Sequence, residues 1–63
     1  MAWYDVSKEV KKISEVEGVT EKSIADDYEL EHDDGIWWAT NRRNQGSVLY
    51  KANQISEQIK KRS

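Results

Sequence analysis

With 63 residues, no cysteine and a single histidine, His32, this chain must hold its fold by packing alone. A domain so short buries only about 60% of the surface it exposes when unfolded, and small scaffolds usually add disulfides or a structural metal. Neither cross-link is on offer here, so the burial falls to aromatic residues. Three tryptophans and three tyrosines are a generous supply, since each such ring can bury ~150–250 Å². Self-association is the other way to make up the shortfall. The chain is read as one small domain over residues 1–63. Its lack of cysteine fits a reducing compartment. No apolar run approaches the ~18 residues of a membrane span, and the start, Met1 to Asp5, lacks the basic-then-apolar pattern of a signal peptide. The expectation is a soluble, cytoplasmic protein whose mature form is the whole chain.

The net charge of −2 conceals an asymmetry. Residues 1–34 carry eleven acids and four lysines, whereas residues 35–63 carry six bases and one acid, Glu57. Either the halves attract each other within the fold, or they form two surfaces of opposite sign that steer different contacts.

Periodicity predicts a first helix over about residues 4–17, with Asp5 at its start and Trp3, Val6, Val10 and Ile13 on one face. Gly18 is placed to end it in a left-handed conformation. Thr20 is a good N-cap for a second, short helix that ends by about Tyr28. The competing reading starts a strand near Ile24. Beyond it, Tyr28 to His32 alternates, Asp33-Asp34-Gly35 is turn chemistry, and Ile36 to Thr40 is rich in strand formers. A two-residue Asp34-Gly35 loop pairs His32 with Trp37. A three-residue loop pairs His32 with Ile36 and gathers Tyr28, Leu30, Ile36 and Trp38 on one face. The second register collects the bulkier set and is preferred, because a one-residue slip turns every side chain over. After a turn over residues 41–46, Val48 to Lys51 reads as a third strand, and Asn53 caps a final helix over about residues 54–62 with Ile55 and Ile59 facing in. The rival is one longer helix capped by Ser47 and containing Val48, Ala52, Ile55 and Ile59. The fold class is α+β: two N-terminal helices, a small antiparallel β-meander and a C-terminal helix, in the order ααβββα or αβββα.

No pattern of residues suggests catalysis. His32 lies among Glu31, Asp33 and Asp34, but side chains adjacent on a strand and turn diverge and make a poor chelate. Gly18, Gly35 and Gly46 are isolated, so there is no phosphate-cradling loop. The expectation is a non-enzyme without cofactor, metal or small-molecule substrate, whose partner is another protein or a second copy of itself.

Two features could carry binding. Gly18-Val19-Thr20, with Ser23-Ile24 three residues on, resembles the helix-turn-helix of bacterial repressors and of excisionase- or MerR-like winged helices, over residues 10–28. The resemblance implies a DNA-binding regulator whose reading helix spans residues 20–28, with contacts from Lys22 and Ser23 and with Arg42 and Arg43 at a wing tip. Glu17 and Asp27 depart from the family pattern, which has small or apolar residues there. DNA affinity rests largely on cations meeting phosphates, and this reading helix offers Glu21, Asp26 and Asp27 against Lys22. The same acidity also suits a decoy that presents residues 15–34 to a nucleic-acid-binding protein.

The second feature is the adjacent pair Trp37-Trp38, which on a strand must face opposite sides. In the preferred register the far face carries Trp37, Ala39, Leu49 and Lys51, flanked by Glu29 and Glu31, with Arg42 and Arg43 in the next loop. A tryptophan–leucine patch rimmed by charge has the composition of a protein-interaction hot spot. Stacking of Trp37 on an unpaired base, with Arg42, Arg43 and Lys51 at phosphates, is the nucleic-acid version of the same site. The run from Val48 to Ser56-Glu57 also looks like the strand-then-capped-helix ending of several small phage proteins, which implies a phage or mobile-element accessory protein.

Overall fold

A computed structural model describes residues 3–62, without the side chain of Arg62. The elements run β1 (Tyr4–Asp5), α1 (Ser7–Glu17), α2 (Glu21–Tyr28), β2 (Glu31–Asp33), β3 (Ile36–Ala39) and α3 (Arg42–Arg62). The class is α+β, and the described residues form three helices and a three-stranded antiparallel sheet of order β1-β3-β2. The third strand is not Val48–Lys51. It is Tyr4–Asp5, paired with β3 as Tyr4 to Ala39 and Asp5 to Trp38.

Local chemistry explains α1 and α2. The Asp5 carboxylate accepts the Ser7 backbone N–H at 3.0 Å, serving one of the donors that a helix start leaves without a helical partner. Trp3 therefore lies ahead of α1 rather than on it. Gly18 ends α1 at φ 67°, with its N–H on the Ser14 carbonyl, as a left-handed cap requires. Thr20 then caps α2, its hydroxyl oxygen accepting the Ser23 backbone N–H at 3.1 Å. Glu29 closes α2 in the left-handed region, and the Leu30 N–H returns to the Ala25 carbonyl at 2.8 Å.

The hairpin takes the shorter loop. His32 pairs with Trp37, Asp33 with Ile36 and Glu31 with Trp38. Asp34 and Gly35, at φ 53° and 75°, are both left-handed, as a type I′ turn requires, and that turn matches the twist of the flanking strands. The register that collects the bulkier side chains is thereby overturned. The helices pack on the face of Ala39, which is fully buried, and a small residue lets helix and strand approach. Trp37 shares that face and packs against the core; Trp38 and Ile36 take the opposite one by alternation.

The second correction concerns α3. Asn41, not Asn53 or Ser47, caps it: the Asn41 side-chain oxygen accepts the Asn44 N–H at 2.8 Å. Asn53 is mid-helix, and the Ser47 hydroxyl donates back to the Arg43 carbonyl at 3.2 Å. The expected turn over residues 41–46 and strand over Val48–Lys51 are instead the first turns of this helix, with Gly46 inside it. The longer-helix spacing is the one that packs, because Val48, Ala52 and Ile55 are buried in a row while Ile59 is half exposed. That row meets Val6, Val10 and Ile13 of the first segment, Ile24 of α2 and Ala39 of β3 in a single core. Tyr4, Tyr28 and Leu30 close its margin.

Candidate functional site: the outer sheet face

The residues expected to form a binding patch are not brought together. Trp37 belongs to the inner face. Its backbone N–H donates to the Ser7 hydroxyl at 2.9 Å, and its indole N–H donates to Glu21 at 3.1 Å. Its carbonyl accepts the Val6 N–H at 2.9 Å, and its ring lies 4.4 Å from that of His32. Leu49 sits on α3, not on a strand beside Trp37. Lys51 reaches α1 instead, with its ammonium 3.2 Å from Glu17. Arg42 and Arg43 are exposed in the first turn of α3, the positive end of its dipole, where a cation is disfavoured by about 0.3–1 kcal/mol. They are not at a hairpin tip; that tip is Asp34-Gly35. Lys22 and Ser23 are exposed on the first turn of α2, and the Ser23 backbone is taken up by the Thr20 cap.

What the strand alternation does assemble is centred on the other tryptophan. Trp38 points away from the core, and the ring of Trp3 lies 6.4 Å from it in a tilted arrangement. Such geometry suits two indoles, whose edges and faces carry opposite partial charge. The Trp38 indole N–H donates to the Asp33 carbonyl at 3.3 Å, which ties the ring to its own hairpin. Ile36 extends the apolar row along β3. Trp3 remains 42% exposed, and Trp38 and Ile36 are half-buried.

Carboxylates frame this row. Asp5 stands opposite Trp38 on β1, Glu31 opposite Trp38 on β2, and Asp33 opposite Ile36. All three residues are exposed. The Asp5 carboxyl is held below its ordinary pKa, first by the Ser7 backbone N–H, then by the Ser7 side chain and more weakly by Lys8, with desolvation opposing. Beside Ile36 a cleft of about 430 Å³ opens between Asp5, Ser7, Lys8, Glu9 and Gly35. A second cleft, about 340 Å³, lies between α1 and α3 and is lined by Val16, Glu17, Lys51 and Ile55 among others.

Sequence reasoning missed Trp38, Trp3, Ile36, Asp5 and Asp33 as members of one surface. The available signal was the Asp34-Gly35 pair itself, whose I′ preference favours the two-residue loop. Trp3 carried no such signal, because its spacing to Val6 and Val10 mimics a helix face. Among the described residues, no three His, Cys, Asp or Glu side chains gather in a group that could hold a metal ion. No helix among them is long and apolar enough to cross a membrane. Comparison with known proteins gives no matching family model, and no curated protein or solved structure matches the chain.

Proposed function

We propose that this chain is a small non-catalytic binding protein, regulatory or accessory in role, that engages another protein through the outer face of its sheet. The observation that carries this reading is the placement of Trp38 and Ile36 on the sheet face opposite the buried Ala39, with the Trp3 ring beside Trp38. The buried core is aliphatic rather than aromatic, so two tryptophans on one outward face are apolar surface that the fold leaves only partly covered. Tryptophan is also the residue most enriched among the few that dominate protein–protein affinity. Trp38 is the anchor, Trp3 and Ile36 its apolar neighbours.

The test compares the chain with its Trp38→Ala variant as bait in extract from the source cells, and by sedimentation for self-association. The variant is expected to keep its far-ultraviolet circular dichroism and to lose the captured protein or the self-association. Equal capture by both forms, with equal sedimentation, would remove the outer face from the function.

A DNA-binding reading has one observation in its favour: α1, the Gly18 turn and α2 are followed at once by a hairpin, in the order a winged helix uses. Charge argues against it. The exposed surface of α2 offers Lys22 beside Asp26 and Asp27, and the hairpin carries Glu31, Asp33 and Asp34. Retardation of bulk duplex DNA at low salt would support this reading, because nonspecific affinity is electrostatic and needs no particular site.

A further inference from the structure

The partner's chemistry follows from what surrounds Trp38, and the inference rests on the reading of the outer face as a docking surface. Along β3 the outward side chains are Ile36 and Trp38. Each has a carboxylate directly across the ladder: Asp33 opposite Ile36, and both Asp5 and Glu31 opposite Trp38. Among the described residues, neither Glu31 nor Asp33 makes an ion pair. An indole face carries a negative quadrupole potential, so the ring and the acids beside it attract the same sign of charge. A planar guanidinium can stack on an indole while its N–H fork bonds a neighbouring carboxylate. An anion, whether phosphate or an acidic side chain, would meet repulsion from both.

The size of the face limits the occupant. Strands lie ~4.8 Å apart and rise ~3.3 Å per residue. A sheet of three strands, the longest with four residues, therefore presents a face far smaller than the ~800 Å² per partner of a standard interface. A second folded copy pressed on this face alone would bury too little to persist. A short extended segment fits, with one side chain over Trp38 and the side chain two residues on reaching the cleft beside Ile36, where Asp5 and Glu9 outnumber Lys8.

We propose that the outer sheet face binds an arginine-bearing segment of a partner protein, with a guanidinium stacked on the exposed side of the Trp3–Trp38 pair and bonded to Glu31 or Asp33.

The experiment uses the full chain, ¹⁵N-labelled, titrated with acetyl-Gly-Arg-Gly-Arg-Gly-amide while the three indole N–H signals are followed by NMR. The expected result is a saturable shift of the Trp38 and Trp3 signals with Trp37 unmoved, weakened about fivefold by raised salt and by the Glu31→Gln, Asp33→Asn double variant. The unmoved Trp37 signal also reports that this variant is folded. The matching peptide with glutamate in place of arginine is expected to leave all three signals in place. Shifts spread evenly over Asp26, Asp27 and Asp34, without Trp38, would overturn the proposal as diffuse attraction to an acidic chain. A stronger response of Trp38 to the glutamate peptide or to a duplex oligonucleotide would overturn it as well. If instead Trp38 moves with protein concentration and no peptide, a second copy is the occupant; the arginine claim then falls while the docking face stands. If no added molecule and no concentration moves Trp38, both fall.

Discussion

On the inner face of the sheet, Trp37 has its backbone N–H, its carbonyl and its indole bonded to Ser7, Val6 and Glu21, which lie in or beside the two N-terminal helices. On the outer face, the Trp38 indole N–H bonds within its own hairpin and its ring lies beside that of Trp3. Two adjacent residues of the same type thus differ in what depends on them. The inner ring holds α1, α2 and the hairpin in one arrangement, so its polar atoms are committed to the fold. The outer ring is tied to its own hairpin and to Trp3, and to neither N-terminal helix. Under the proposed function, stability and recognition are divided between the two faces of a single four-residue strand.

The contrast can be broken or sharpened in three ways. The largest effect is expected from Trp37→Ala. Removing a core tryptophan costs ~3–5 kcal/mol, and a half-buried ring belongs at the lower end, about 3 kcal/mol. A domain this small rarely has more than ~3–5 kcal/mol in total, so urea denaturation should show a substantially unfolded population in water. An unchanged midpoint would mean that the inner face is not the structural one. Next is Ser7→Ala, which leaves the partly buried Trp37 N–H without its acceptor. A loss of about 1–2 kcal/mol is expected, read from the same denaturation curves, with little effect on the Trp3 and Trp38 indole signals.

The smallest effect is the acid response of Asp5, whose direction follows from its depressed pKa. The folded state binds this proton more weakly than the unfolded state. The Asp5 contribution is therefore complete above the unfolded carboxylate pKa and is lost as pH falls through the lower folded value. Asp5→Asn should flatten the fall in thermal midpoint on acidification while leaving neutral-pH structure intact. A variant that loses stability as steeply as the parent in that range would show that the Asp5 carboxylate does not support the start of α1 through the Ser7 N–H.

Helices α1 and α2 were legible in the sequence because the residues that start and stop them act locally. Thr20 finds its acceptor role three residues on, and Gly18 needs only its own left-handed backbone. The rest depended on partners remote in sequence. A two-residue strand at Tyr4–Asp5 has no periodicity to read, and it exists because Ala39 and Trp38 are there to pair with it. Val48, Tyr50 and Gly46 read locally as strand and turn, but the row Val48, Ala52 and Ile55 found the α1 surface and carried the backbone into helix around an interior glycine. Bulk favours the longer hairpin loop, whereas the inner face takes the small Ala39, over which the helices close. The pair of opposed tryptophans was legible; which of them faced outward was not, since that turns on the register.

The strand order also bears on how the protein can be approached from the side. β3, the apolar strand, is central, and its backbone is paired on both flanks. The strands that border it have two and three residues, and both carry carboxylates. Short, charged borders are poor templates for adding another strand. Sheet extension into ordered aggregates is thereby discouraged at the very element whose aromatic content would otherwise invite it.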